Sequence, residues 1–221
     1  MNAFTGLPAG LPAFLAELAA NNERDWFTDH KDEYLEVVQA PLRRLVSALA
    51  PAMLEIDPGF DTNPKGAAVS RIHRDVRFSR DKSPYRVNQW ICFKRPGEGW
   101  QGRPAYFLEI GPAGWRFGMG TYAAPPSAMK ELRGRILAQS ERFARHVEAA
   151  QAAGFTAEGE PYARASIPAG LPLAAEPWFR FKNAYLVSNR PLEPLLFATE
   201  LVNRLTEAWR ASAGLYEFLA A

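Results

Sequence analysis

The chain has 221 residues, of which 48% are hydrophobic and 23% are charged, and its formal net charge is +2. This composition supports a buried core, and it excludes both a disordered chain and an apolar tract that could span a membrane. The first twelve residues lack the pattern of a secretory signal, so we expect a cytoplasmic protein. The single cysteine, Cys92, excludes a disulfide within the chain, and we expect it to be a buried, unreactive thiol.

Helical periodicity covers the chain from about residue 12 to residue 50. The apolar spacing predicts a short first helix that ends at Asn21 and Asn22. A second helix should follow at once, with the Asn22 side chain capping its free N–H groups. Pro41 lies within this helix and should kink it, because proline removes one helical hydrogen bond.

Strand-like patterns dominate from about residue 69 to residue 122, after a loop rich in proline and glycine. The candidate strands are residues 69–78, 89–94, 105–110 and 115–122. The connections between them are too short for crossover helices, so neighbouring strands should be antiparallel. The sheet is therefore expected in the middle of the chain.

The last third of the chain returns to helical patterns. We expect helices over about 127–153, then an irregular segment, one strand at 181–187 and a terminal helix from residue 194. Strands grouped between runs of helices predict a single α+β domain over residues 1–221. Its one sheet, mainly antiparallel, would have N-terminal and C-terminal helices packed against it.

Positive charge is concentrated in residues 71–86, which carry a formal charge of +4, whereas the other residues together carry −2. If residues 72–78 are extended, their side chains alternate between two faces. One face is polar throughout and comprises Arg71, His73, Asp75 and Arg77. Arg74 would point among apolar neighbours and would then need a partner.

Such a cluster is typical of a site for a small anion that carries phosphate or carboxylate, because guanidinium groups bind these anions with paired hydrogen bonds. We predict that Lys82, in the turn from Ser79 to Pro84, joins the site. The predicted ligand-binding residues are Arg71, Arg74, Asp75, Arg77, Asp81, Lys82 and Arg133. Two alternatives stay open. The same charges can form a structural ion-pair network, or they can provide a footprint for nucleic acid or a protein partner.

No reaction can be identified from these residues, and whether the protein is an enzyme is left open. Glu109, a carboxylate inside an apolar strand, and His73 are the candidates for proton transfer. The three histidines lie in separate elements without metal-ligand spacing, so we predict no metal site. Gly118 to Ala123 match a dinucleotide-binding pattern, but the alternating strands and helices that it requires are absent, so we predict no cofactor.

Residues 74–86 read Arg-Asp-Val-Arg-Phe-Ser-Arg-Asp-Lys-Ser-Pro-Tyr-Arg. This segment closely resembles the signature of a family known as domain of unknown function 2461. The resemblance extends over about residues 10–140, through Phe14-Leu15, Leu18, Asn21-Asn22, Trp26-Phe27, Tyr34, Tyr106, Gly118, Gly120, Tyr122, Leu132, Arg133 and Ile136. Beyond it, Pro168 to Leu171 replaces a Pro-Lys-Gly-Phe type element. The family has no established activity, so the resemblance implies no reaction.

Nucleic acid has less support from the sequence than a small anion. The isoelectric point of about 8.7 is below the value of about 9 that is usual for a nucleic-acid-binding domain. The sequence also contains no helix-turn-helix, zinc or aromatic RNA-binding signature. We expect no membrane partner, and the sequence does not indicate an oligomeric state.

Overall fold

The structure, a computed structural model, describes residues 3–121 and 123–221. Its N-terminal part is helical, as the periodicity predicts, but the second helix is divided into several pieces. The helices are α1 (Gly10–Ala20), α2 (Arg24–Asp29), α3 (Lys31–Glu33) and α4 (Ala40–Ile56), and a π-helical turn (Tyr34–Gln39) precedes α4. The π-helical turn ends just before Pro41, which cannot donate the next helical hydrogen bond.

The cap expected from Asn22 is not formed. Glu23 is the residue that precedes α2, and it makes no capping hydrogen bond through its side chain. The side chain of Asn22 instead bonds to the backbone of Tyr85, far along the chain. The predicted cap is wrong because of tertiary structure: the Asn22 side chain makes its hydrogen bonds to a distant backbone segment and not to the adjacent helix end.

A single antiparallel sheet forms the centre of the fold. Its five strands lie in the order β1-β2-β3-β5-β4. They are β1 (Gln89–Phe93), β2 (Pro104–Ile110), β3 (Gly114–Thr121), β4 (Thr156–Pro161) and β5 (Phe181–Pro191). The predicted α+β fold with an antiparallel sheet is confirmed. Two strands come from the C-terminal third, however, so the sheet draws on more of the chain than its middle.

The predicted strand at residues 69–78 is wrong. Only two isolated bridges form there, between Val69 and Ile91 and between His73 and Tyr85. Phe78, which alternation places on an apolar face, is 94% exposed. No strand of the described chain covers this segment. Its side chains therefore do not alternate between two faces of a sheet. The predicted strand from 115 to 122 is present as β3, although Tyr122 lies outside the described residues.

In the described part of the chain, five further α-helices follow β3. They are α5 (Pro126–Ala138), α6 (Ser140–Ala152), α7 (Pro177–Arg180), α8 (Leu201–Ala211) and α9 (Ala213–Ala220). The predicted terminal helix is therefore broken near Ser212, which is buried. Within the described residues, no helix has the length and the apolar character needed to cross a membrane.

The two faces of the sheet differ in burial. Ile91, Leu108, Phe117 and Leu186 lie on one face and are buried in the core, against which α4, α8 and α9 pack. On the opposite face, which we call the open face, many of the strand positions are partly exposed and several are polar. Alternation along each strand produces this division, because successive side chains point to opposite sides.

Candidate functional site: the arginine loop and the open face

Residues 71–86 form a loop that leaves the sheet and returns beside its own beginning. The N–H of Arg74 donates to the carbonyl of Pro84 at 2.9 Å, and the N–H of Arg86 donates to the carbonyl of Ile72 at 2.8 Å. We call residues 71–86 the arginine loop. Its two limbs are therefore held together at the base, while its tip projects from the protein.

The base of the arginine loop is attached to the N-terminal helices. Tyr85 stacks on Phe27 with ring centroids 4.2 Å apart. The ring of His73 lies beside both aromatic rings, 5.3 Å from Tyr85 and 6.3 Å from Phe27. His73 therefore packs against aromatic side chains and does not share a strand face with the neighbouring charges.

Arg74 has a partner within the protein. Its guanidinium forms an ion pair with Asp81 across the loop, and only 27% of its side chain is exposed. Asp81 also accepts hydrogen bonds from the N–H and hydroxyl of Ser83. The hydrogen bonds from Arg74 and Ser83 lower the pKa of Asp81. Arg74 and Asp81 therefore shape the loop, and the partner of Arg74 is a carboxylate.

Arg77 forms an ion pair with a carboxylate two residues before it in the chain. Its Nε and Nη2 atoms donate to the two carboxylate oxygens of Asp75 at 2.9 and 2.7 Å. The hydrogen bonds from Arg77 lower the pKa of Asp75 to about 2. The pair is solvent-exposed, so it fixes local geometry more than it adds to the free energy of unfolding.

Four cations of the arginine loop form no ion pair in the described part of the chain: Arg71, Arg80, Lys82 and Arg86. The ammonium of Lys82 donates to the carbonyl of Val76 at 2.9 Å, which leaves its other N–H groups available. Arg86 donates from Nε to the carbonyl of His73 and lies over the ring of Trp90, 4.9 Å from the ring centroid. Positive charge therefore remains after the internal pairs are formed.

Phe78 is the most exposed large apolar side chain given for the described residues, at 94%. The guanidinium of Arg77 lies 5.8 Å from the centroid of its ring. The sequence did not reveal Phe78 as a surface residue, because strand alternation assigned Phe78 to an apolar face. The loop lines neither of the two cavities described, one of about 330 Å³ near Glu109 and one of about 200 Å³ near Arg135. Phe78, Arg80 and Lys82 are all exposed, so the loop presents a surface to solvent.

Glu109 lies on the open face and takes no part in the ion pairs described for the arginine loop. It accepts hydrogen bonds from Asn88 at 2.9 Å and from Arg116 at 3.0 Å. Sequence reasoning did not identify Arg116, although it alternates with apolar residues in β3 in the same way that Glu109 does in β2. A charged residue among alternating apolar residues is therefore the sequence signal that could have identified Arg116.

Arg133 has a separate environment. Its Nε donates to the carbonyl of Trp178 at 3.1 Å, and its Nη2 donates to the carbonyl of Phe181 at 2.7 Å. These bonds attach α5 to the junction of α7 and β5. Within the described residues, Arg133 makes no contact with the arginine loop, and the contacts that it does make are structural.

Two further sequence features have structural explanations. Gly118 and Gly120 lie within β3, and the Phe107 and Tyr185 side chains pass so close that a Cβ atom would meet them at 2.9 and 2.4 Å. Burial raises the pKa of the Cys92 thiol to about 11, which makes it a poor nucleophile at neutral pH. Among the residues described, no group of three or more potential metal ligands is found.

These features define an α+β protein with one antiparallel sheet, a partly exposed polar sheet face and a basic loop clamped to its N-terminal helices. The chain belongs to a family described as a conserved hypothetical protein, DUF2461, whose family model matches residues 11–218. The match extends well beyond residue 140, where the resemblance in sequence becomes loose. No curated protein shows significant similarity to the chain.

Proposed function

We propose that the protein binds a phosphate-bearing anionic ligand on the arginine loop. The observation that carries this proposal is the set of four cations in the loop that form no ion pair in the described chain, together with the exposed ring of Phe78 in the same loop. Internal pairing accounts for Arg74 and Arg77 but leaves the formal charge of the loop at +4. A loop held by its own ion pairs, yet still strongly basic, is suited to attract an anion from solution.

The exposure of the loop favours an extended ligand over a single small anion. One anion on an open surface is screened by water and salt, so its attraction to each cation is weak. A chain of phosphates can contact several cations at once and releases counterions from its backbone as it does so. Phe78 provides a ring on which a base can stack. Single-stranded nucleic acid combines both features, and it is the ligand that we propose.

The residues of the loop then have distinct roles. Arg71, Arg80, Lys82 and Arg86 contact phosphates. Arg74 with Asp81 and Arg77 with Asp75 hold the loop in the shape that presents them. Phe78 stacks on a base. This division revises the expectation that all the arginines converge on one anion.

The proposal is tested by fluorescence anisotropy with a labelled oligothymidylate over a series of salt concentrations. We expect the logarithm of the affinity to fall linearly with the logarithm of salt concentration, by about 0.7 for each phosphate contacted. Arg80→Ala should reduce this slope by about one such unit. Phe78→Ala should weaken binding by roughly 5- to 150-fold and leave the slope unchanged, because stacking involves no counterions.

Matched controls are available at exposed positions outside the arginine loop. Arg164→Ala removes an exposed arginine outside the loop, and Leu173→Ala removes an apolar side chain that is 83% exposed. Both should leave oligothymidylate binding unchanged. Equal effects of Arg80→Ala and Arg164→Ala would contradict the proposal. Binding to phosphatidylserine vesicles without binding to the oligonucleotide would show that the partner is a membrane surface, and saturable binding of inorganic phosphate alone would show a small-anion site.

A further inference from the structure

A row of polar and aromatic side chains crosses the open face of the sheet. Trp90, Glu109, Arg116 and Asn189 are cross-strand partners on four successive strands. Paired residues project to the same side of an antiparallel sheet, about 5 Å apart. The row therefore places an aromatic ring, a carboxylate, a guanidinium and an amide side by side.

Hydrogen bonds connect this row to its neighbours and set the orientation of its members. Asn88 and Arg116 donate to the two oxygens of Glu109. Asn189 donates to Glu158 at 2.8 Å, and the hydroxyl of Tyr185 lies 3.4 Å from the same carboxylate. Side chains held in this way are pre-organised, so a ligand that binds them loses little additional side-chain entropy.

A cavity of about 330 Å³ opens beside the row and is lined by three of its four members, all except Trp90. It is lined by Glu109, Arg116, Asn88, Asn189 and the turn from Gly111 to Gly114. This volume is at the lower end of the range for small-molecule sites. It is open to solvent, and no residue of the arginine loop lines it, although Arg86 of the loop lies over the ring of Trp90 in the row.

The hydrogen-bonding capacity that remains in the row is mixed. Its charges cancel, because Glu109 pairs with Arg116, while Arg86 over Trp90 and Glu158 beside Asn189 add one charge of each sign. Each asparagine amide uses one N–H in the bonds described and keeps a carbonyl oxygen and a second N–H. Arg116 keeps N–H groups without partners in the described chain, and one of them, Nε, is buried. Arg190, at the edge of the cavity, is paired with Glu193.

We infer that the cavity and the adjacent row form a binding site for a neutral polyhydroxylated ligand, namely a sugar ring. Hydroxyl groups both donate and accept, which matches the donors and acceptors left free on Asn88, Asn189 and Arg116. The apolar face of a sugar ring matches the partly exposed ring of Phe107 on the same sheet face, whereas Arg86 lies over the ring of Trp90. The charges of Glu109, Arg116, Arg86 and Glu158 sum to zero, so the site gives no net attraction for a charged ligand. This site goes beyond the anion-binding function of the loop.

The test compares three sugars that share one ring and differ in charge: glucose, glucuronate and glucosamine. Two-dimensional NMR of the ¹⁵N-labelled full chain follows the side-chain amides of Asn88 and Asn189 and the indole N–H of Trp90 during each titration. We expect saturable shifts of these signals with glucose at millimolar concentration. Glucuronate and glucosamine should bind no more tightly than glucose.

Variants separate binding from folding. Asn189 is exposed, so Asn189→Ala should leave the fold intact while it weakens glucose binding by about fivefold, the loss expected for one hydrogen bond. Asn21→Ala changes an exposed asparagine elsewhere and should have no effect on glucose binding. Phe78→Ala should also leave it unchanged, so failure of the loop proposal does not affect this one.

Three outcomes would overturn the inference. The first is that glucose shifts none of the three signals, and the second is that glucuronate or glucosamine binds clearly more tightly than glucose. The third is that Asn189→Ala and Asn21→Ala have the same effect. Each result is obtained with the intact chain, and the amide signals of the core strands report directly whether a variant has remained folded.

Discussion

Asn22 and Tyr85 are joined by two hydrogen bonds that imitate a pair of neighbouring strands. The Asn22 amide nitrogen donates to the carbonyl of Tyr85 at 3.0 Å, and its amide oxygen accepts from the N–H of Tyr85 at 3.0 Å. The two residues are 63 positions apart in the chain. One side chain thus closes the base of the arginine loop onto the connection between α1 and α2.

Asn22→Ala should destabilise the protein and loosen the loop. The change leaves the N–H and carbonyl of Tyr85 without their partners, which costs about 1–3 kcal/mol for each partly buried group. Urea unfolding should therefore show a lower free energy of unfolding, and oligothymidylate binding should weaken as well. Asn21→Ala is the control, since Asn21 makes only a local bond to Glu17 and is exposed. If the two variants are equally stable, the clamp has no energetic role.

Asp57 should make stability depend on pH in the acid range. Its side chain is 2% exposed, and burial opposes its ionisation, but hydrogen bonds from Arg95, Tyr216 and the N–H of Gly59 outweigh burial and lower its pKa. A carboxyl with a lower pKa in the folded state contributes stability above the pKa of the unfolded chain. That contribution is lost as the pH falls through the folded-state value.

The measurement for Asp57 is the free energy of unfolding of the wild type and of Asp57→Asn between pH 7 and pH 2. We expect the variant to be less stable by about 2 kcal/mol at pH 7, because hydrogen bonds to a charged group are replaced by bonds to a neutral one. The difference should be constant down to about pH 5 and should shrink below about pH 4. A difference that grows on acidification would contradict the assignment.

Two glycines should respond to alanine in opposite directions. A Cβ atom at Gly118 would lie 2.1 Å from the backbone oxygen of Leu186, so Gly118→Ala forces the strands to move and should cost at least about 1–3 kcal/mol. Gly134 lies in α5 with open space around its Cα, and Gly134→Ala should stabilise the protein by about 0.5–1 kcal/mol. Thermal unfolding compares the two variants. Stabilisation by Gly118→Ala would show that β3 and β5 are not packed as described.

Arg133 should matter for stability and not for binding to the arginine loop. Arg133→Ala removes the donors to the carbonyls of Trp178 and Phe181, so we expect a loss of about 1–3 kcal/mol in the free energy of unfolding. Arg133→Lys should restore only part of it, because one ammonium cannot reproduce the fork of a guanidinium. At a temperature where both variants are folded, oligothymidylate affinity should equal that of the wild type. A large loss of oligothymidylate affinity in the folded variants would show that Arg133 takes part in binding.

The sequence alone was sufficient for most of the architecture. Alternation and turn residues located β1, β2, β3 and β5, and periodicity located the helices, because both depend on the local spacing of apolar side chains. The sequence did not predict β4, because its residues, Thr-Ala-Glu-Gly-Glu-Pro, have no apolar alternation. That strand exists because its backbone completes the hydrogen bonding of β5, which is a tertiary effect.

The candidate site divides in the same way. Charge density in the sequence identified residues 71–86, and the oddity of a carboxylate in an apolar strand identified Glu109. Only the tertiary structure decided which cations are neutralised, because pairing depends on how the chain folds back on itself. In the structure, Arg74 pairs with Asp81 and Arg77 pairs with Asp75. Arg133 donates to backbone carbonyls, and Phe78 is exposed. Local sequence determines which side chains are present and charged, whereas contacts between distant segments determine which of them remain free to bind.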